Sequence, residues 1–222
     1  MIRNDILRKI NHLNDLNKGK VKICYFDLCD TLVSCNTTVT FIEKYYMSDL
    51  KKKCYKNIFL RGLNKLAFRL FKFDAVRWLY LRELKGISRT TLDSQAKDFV
   101  QNCNFNQEII EILDYLHKNE WCCYIVSASL DFLVSEFAYQ LKMKVLGSTA
   151  LLYNNNTCEG VILFDLLDKK DRLDYPNADG TIFISDNKGD RKIMECMNYG
   201  IAVSKEKNSS YWRSFQGGII KL

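Results

Sequence analysis

Lys22 to Leu32 is β-prone as far as Asp27 and then turns polar, through Cys29, Asp30 and Thr31. In a parallel sheet, a side chain at the carboxyl end of a strand points into the crevice where ligands bind. A carboxylate there can act as a nucleophile, as a hard oxygen ligand for Mg²⁺, or as both. A strand ending in aspartate is also ordinary turn chemistry, so the meaning of Asp27 depends on its partners further along the chain.

Four further features fall in order. Thr31 lies four residues after Asp27, where the hydroxyl and N–H groups of the turn can face a bound anion. Tyr124 to Ser129 is a second apolar run, and it ends in Ser127, a hydroxyl suited to a phosphoryl oxygen. Lys169 and Lys170 begin a helix expected to run through Leu173 and can offset charge on a phosphoryl group. Ile182 to Ser185 runs into Asp186, with Asp190 four residues on. Mg²⁺ usually takes one or two protein carboxylates and leaves places for phosphate and water. Singly, each feature has a plain account: a strand-end turn, a solvated lysine, a loop with an N-cap. Their shared order, each after an apolar strand or at a helix start, favours the chemical account.

The elements that must position these residues follow from periodicity. Strands are expected at Val21–Phe26, Cys122–Val126, Lys144–Gly147, Thr181–Ser185 and Ile201–Val203, mostly separated by helical patterns. That alternation is the signature of an α/β, doubly wound, largely parallel sheet flanked by helices. Ser148–Tyr153 and Gly160–Phe164, joined through Asn154, Asn155 and Asn156, read as a hairpin. From Cys35 to Cys103 the alternation stops. Helical pieces are expected near Val39–Lys53, Tyr55–Phe73, Asp74–Lys85 and Thr90–Asn102. Residues 1–34 and 104–222 are thus expected to form the core, with 35–103 inserted.

Thr38 to Asn102 holds 14 of the 33 Lys and Arg but only 6 of the 26 Asp and Glu, so the net charge of +7 belongs to the insertion. A positive field beside a crevice attracts anionic ligands. Lys51 to Phe73 interleaves basic with aromatic and aliphatic residues. Such a helix can lie on an anionic membrane surface; an amphipathic helix with its lysines in water is the commoner arrangement. Nucleic acid is not an expected partner, since charge without a recognition fold is poor support.

The order of motifs resembles the haloacid dehalogenase (HAD) superfamily, most closely its phosphoserine phosphatase-like branch. Phe26 to Leu32 matches motif one, Val126 to Ser129 motif two, Lys169 motif three, and Ser185–Asp186 through Asp190 motif four. The resemblance covers nearly all of the chain after Lys20 and implies a Rossmann-like core with a helical cap inserted after the first strand. It implies Asp27 as a nucleophile forming an aspartyl-phosphate. Asp27 and Asp186 would bind Mg²⁺ with the backbone carbonyl of Cys29, and Asp190 would ligate the metal or orient its ligands. Ser127 and Lys169, with Lys170 as the alternative lysine, would hold the phosphoryl oxygens. The implied substrate is a small phosphorylated metabolite, sugar or lipid.

One position departs from the family. Its phosphatases carry a second aspartate two residues after the nucleophile, to protonate the leaving group; here that residue is Cys29, with Asp30 one place later. General acid catalysis is typically worth about 10²–10⁴-fold. Three readings stand: Asp30 substitutes through a shifted turn, the substrate has a good leaving group, or the protein is slow or silenced and mainly binds phosphorylated ligands. A thiol, with an unperturbed pKa of about 8.5, is a fourth donor in principle. Dehalogenation is disfavoured by the paired carboxylates Asp186 and Asp190. Phosphoserine is disfavoured because Cys35 to Thr38 lacks the glutamate that holds its amino group in such relatives.

Nine cysteines, odd in number and scattered without a Cys-x-x-Cys pair, suggest free thiols in a reducing cytosol. Ile2, Ile6, Leu7, Ile10, Leu13 and Leu16 recur at helical spacing in a charged N-terminal segment, which reads as an amphipathic helix packed on the core. No apolar run reaches the ~18 residues of a membrane span.

Overall fold

The computed structural model describes residues 4–57, 64, 74–205 and 210–222. Seven strands form one sheet in the order β4-β3-β2-β1-β5-β6-β7. They are β1 (Lys22–Phe26), β2 (Cys122–Leu130), β3 (Lys144–Asn154), β4 (Thr157–Phe164), β5 (Gly180–Ser185), β6 (Tyr199–Ser204) and β7 (Gly218–Lys221). All neighbours run parallel except β3 and β4. That pair is the expected hairpin, and both of its turn residues, Asn155 and Asn156, have positive φ (46° and 64°), as a tight right-twisted hairpin demands.

Every residue of β1 is buried, because a central parallel strand is covered on both faces. Cys24 and Phe26 face one apolar cluster, Ile23 and Tyr25 the other. The first cluster is built by α1 (Asn4–Leu16) and by the helices on that side of the sheet. Ile6, Ile10 and Leu13 of α1 are buried, as its periodicity predicts, while Leu16 is exposed. The second is thinner, closed by Ile193, Met194, Trp212 and Phe215.

Among the described residues, the elements between residues 35 and 103 are all helical: α2 (Thr37–Tyr46), α3 (Asp49–Tyr55), α4 (Ala75–Arg82) and α5 (Arg89–Gln101). The single helix expected over Val39–Lys53 is two, because Ser48 caps a new helix by accepting from Lys51 N–H. The expected helix over Tyr55–Phe73 lies almost wholly outside the described residues. Asn36, Asp74 and Ser88 cap α2, α4 and α5 through their side chains. Phe41, Leu92 and Phe99 of these helices share a buried cluster with α6 (Gln107–Lys118) and α7 (Asp131–Gln140), so the insertion and the sheet have a continuous core.

Three expectations change. The helix from Lys169 through Leu173 is a single 3₁₀ turn, Lys170–Arg172. Strand β7 joins the edge of the sheet unannounced by the sequence, since Gly218 to Lys221 is short and shows no period of its own. Of the basic run, Lys51, Lys52 and Lys56 pair with Glu83, Asp49 and Glu43, so those charges are matched within the helical region itself. No helix among the described residues is long and apolar enough to cross a membrane.

Candidate active site

The chain builds outward from β1 through β2 and β3, then crosses back to add β5, β6 and β7 on the other side. The crevice at such a reversal, beyond the carboxyl ends of the strands, is where ligands bind in open α/β sheets. Phe26 is level with Ile125 of β2 and Ile184 of β5, so the next residues of all three strands emerge together. A cavity of about 1290 Å³ opens there, lined by Asp27, Ser127, Lys170, Asp186 and Asp190 among others.

Asp27 is anchored at both ends. Its N–H donates to Ile184 O at 2.9 Å, and Oδ1 accepts from Leu28 N–H at 2.8 Å. Lys170 Nζ lies 3.0 Å from Asp27 Oδ1 and 2.7 Å from Asp190 Oδ2, with all three side chains buried. Ser185 Oγ donates to Asp190 Oδ2 at 2.7 Å. Burial pulls the Lys170 ammonium down, but the two carboxylates outweigh it and hold it above its usual value. Burial pushes the Asp27 carboxyl up, with Asp190 adding to the rise and Lys170 opposing it. Asp186 is raised to about 7, first by burial and then by the charges of Asp27 and Asp30, against Lys170 and Lys205.

The site residues expected from the sequence sort accordingly. Lys170, not Lys169, enters the cluster: Lys169 precedes the 3₁₀ turn and stays partly exposed, whereas Lys170 is 6% exposed. The Thr31 hydroxyl is engaged by the Asp186 loop. The hydroxyl is fully buried, accepting from Asp186 N–H at 3.0 Å and bonding Asp186 Oδ1 at 3.4 Å, so it fixes the Asp186 loop. Asp30 sits in a left-handed turn (φ 54°) that aims its carboxylate at Lys205. One Asp30 oxygen is thereby committed to Lys205. Cys29 lines the cavity, its Sγ 3.1 Å from Ser129 Oγ and 3.4 Å from Thr37 Oγ1. Burial and the Asp27 charge raise its thiol, outweighing the hydrogen bonds from Ser129 and Thr37. Ser127 Oγ contacts Ser129 Oγ at 3.2 Å and accepts from Ser129 N–H at 3.3 Å.

Two contributors are not among the site residues expected from the sequence. Arg77 of α4 donates to Ala128 O and Thr149 Oγ1, both at 3.0 Å, and pairs with Asp165 at 2.9 Å. It braces the Ser127–Ser129 loop from the helical side, and nothing in its sequence context marks it. Ser185, by contrast, stands beside Asp186 in the sequence, and its strand-end position is a usable signal.

The donor set suits a hard divalent cation. Asp27 and Asp190 share one ammonium, and Asp186 beside them is raised to about 7 by burial and by the charges of Asp27 and Asp30. Among the described residues, no three His, Cys, Asp or Glu side chains stand close enough to chelate a metal by themselves. A two-carboxylate Mg²⁺ site completed by phosphate and water does not need a third. Asp190 Oδ2 is already committed to Lys170 and Ser185.

Asp186 makes stability depend on pH. In the fold it keeps its proton to about pH 7, whereas unfolded it releases it near 4. Between those values the folded state binds more protons, so in EDTA its contribution to stability declines as pH rises from 4 to 7. The penalty above pH 7 is on the order of 4 kcal/mol. Asp186→Asn is expected to flatten this slope, and Mg²⁺ to raise the parent's Tm more at pH 8 than at pH 5. Equal Mg²⁺ shifts at both pH values would remove Asp186 from the metal site.

Comparison with known proteins agrees with this geometry. The family model described as haloacid dehalogenase-like hydrolase matches residues 24–195. No curated protein sequence matches the chain. Among solved structures, a protein of unknown function from Bordetella pertussis Tohama I is 14% identical, with a TM-score of 0.67 over 90% of this chain and 98% of that one. A cytosolic 5'-nucleotidase IIIB bound to cytidine is 11% identical, with a TM-score of 0.67 over 100% and 87%. A phosphoserine phosphatase, captured as an analogue of its phospho-aspartyl intermediate, is 14% identical, with a TM-score of 0.55 over 83% and 87%. At such identities these likenesses speak for the fold. With the family match spanning well over half of its length, the chain belongs to the haloacid dehalogenase-like hydrolases.

Proposed function

We propose that the protein is a Mg²⁺-dependent phosphatase in which Asp27 takes the phosphoryl group from a small phosphorylated substrate. The observation that carries this reading is the buried Lys170 ammonium, shared between Asp27 and Asp190 at the floor of the crevice. Asp27 Oδ attacks phosphorus, the bond to the leaving oxygen breaks, and an aspartyl-phosphate results. Water then attacks that phosphorus, releasing phosphate and restoring the carboxylate. Lys170 and the Ser127 hydroxyl hold phosphoryl oxygens as charge spreads over them in a loose transition state. Asp27, Asp186 and the Cys29 carbonyl would hold Mg²⁺, which when bound neutralises phosphoryl charge. Asp190 and Ser185 fix Lys170 in place.

The leaving group is the distinguishing part of the proposal. Cys29 keeps its proton more firmly than a free thiol, and Asp30 is tied to Lys205, so neither protonates a departing alkoxide efficiently. Substrates with stable leaving groups, such as acyl or aryl phosphates, therefore fit best. Asn36, Thr38 and Val39 form the wall where phosphoserine enzymes need a carboxylate, and none carries charge. Release of phosphate is expected to be Mg²⁺-dependent, EDTA-sensitive and fastest on acyl and aryl phosphates. Failure on every class, with phosphate still raising the Tm, would favour a protein that only binds phosphorylated ligands.

A further inference from the structure

The chain enters and leaves the helical region through two short segments that pair with each other. Val33 and Phe105 form an antiparallel bridge, with Ser34 N–H donating to Asn104 O at 3.3 Å and Asn106 N–H to Leu32 O at 2.9 Å. These two bonds flank the Val33–Phe105 pair, which makes it a non-hydrogen-bonded pair of the ladder. Carried two residues further, the same register sets Cys35 opposite Cys103, again at a non-hydrogen-bonded position. Residues opposed at such a position have Cα atoms typically about 4.5 Å apart with side chains on one face, inside the 4.4–6.8 Å range that a disulfide spans. The two thiols lie close enough to perturb one another's ionisation, and both are partly exposed.

We propose that Cys35 and Cys103 are a reversible disulfide site that ties together the two segments joining the helical region to the sheet. Cys35 is the attacking sulfur. The Cys103 thiol and Thr40 stabilise its thiolate and, with Lys205, outweigh burial and Asp30, bringing it to about 7. Cys103, held well above the usual thiol range by Cys35 and by burial, keeps its proton until the second step. With hydrogen peroxide as oxidant, the Cys35 thiolate attacks one oxygen, the O–O bond breaks, and sulfenic acid and hydroxide form. Cys103 sulfur then attacks Cys35 sulfur and the S–O bond breaks. The Cys103 proton and the hydroxyl leave as water. Two electrons pass from the thiols to the peroxide, and a dithiol reverses the reaction by exchange.

Other cysteines serve as internal controls. Cys24 and Cys123 are register partners on β1 and β2 but are buried, and Cys54 and Cys196 are exposed without a partner thiol in register. Reactivity needs both access and a thiolate, and Cys35 combines partial exposure with a lowered thiol and a partly exposed thiol from the opposing segment. The link also closes a long loop, which raises stability chiefly by restricting the unfolded chain.

The test is peroxide titration of the folded, full-length protein, followed by peptide mapping without reductant and by thermal melting. A Cys35–Cys103 peptide is expected before any other oxidised species, with a Tm rise of about 5–15 °C that dithiothreitol reverses. Cys103→Ser is expected to trap Cys35 as sulfenic acid, detectable with a 1,3-dione reagent, without the Tm rise. Cys35 left reduced while Cys54, Cys196 or Cys24–Cys123 reacts would overturn the proposal. So would a link that forms only in denaturant, or one that leaves the Tm unchanged. None of these readouts depends on catalytic turnover, so they stand apart from the phosphatase assignment.

Discussion

Asp27→Asn is expected to abolish phosphate release, a loss of about 10⁴–10⁶-fold of the size seen when a covalent nucleophile is removed. The amide has nearly the carboxylate's shape but cannot form an acyl phosphate that water hydrolyses. The fold is expected to survive. Lys170 keeps Asp190 as its partner at 2.7 Å, and the variant removes a carboxylate whose charge burial disfavours. Phosphate release and melting therefore have to be measured together. Turnover within tenfold of the parent, in a protein of unchanged Tm, would dismiss Asp27 as the nucleophile and with it the aspartyl-phosphate. The parent, incubated with an acyl phosphate and quenched in acid, is expected to gain the mass of one phosphoryl group; Asp27→Asn is not.

Cys29→Asp is expected to raise turnover of alkyl phosphates by about 10²–10⁴-fold, the usual worth of a general acid, and to change acyl phosphate turnover little. The surroundings of Cys29 suit the change. Ser129 and Thr37 hydroxyls already lie 3.1 and 3.4 Å from its sulfur and can serve a carboxyl in its place. Burial and the nearby Asp27 charge, which raise the thiol, would raise an introduced carboxyl as well and favour the protonated form that a donor needs. A variant that melts like the parent yet gains nothing on alkyl phosphates would mean that proton donation is not what limits the protein. Equal gains on acyl and alkyl phosphates would argue against a substrate chosen for its leaving group.

The periodicity of the chain carries the sheet and most of the helices because burial enforces it. β1 is apolar throughout since both of its faces are covered, and the Asn155–Asn156 turn follows from the residues that tolerate positive φ. Breaks inside helical stretches are harder to read. Ser48 begins a new helix, and nothing in the pattern from Val39 to Lys53 distinguishes it from a polar residue on an exposed face. Arg77 is likewise silent in the sequence, because Ala128, Thr149 and Asp165 meet it only once the chain has folded.

By itself the sequence determined which strands carry Asp27, Ser127 and Asp186 at or near their carboxyl ends, and so which groups share the crevice. Parallel strands carry their carboxyl ends to one edge of the sheet, so the order of motifs is enough. Tertiary structure alone decided between neighbours in the chain. The 3₁₀ turn begins at Lys170, which enters the carboxylates, while Lys169 precedes the turn at φ −132° and stays partly exposed. The left-handed backbone at Asp30 gives its carboxylate to Lys205, and burial gives the Thr31 hydroxyl to Asp186. The pairing of Val33 with Phe105 brings together the segments that carry Cys35 and Cys103, with 67 residues between them in the chain. Each of these outcomes depends on side-chain direction and long-range register, which the packed chain settles and local residue type does not.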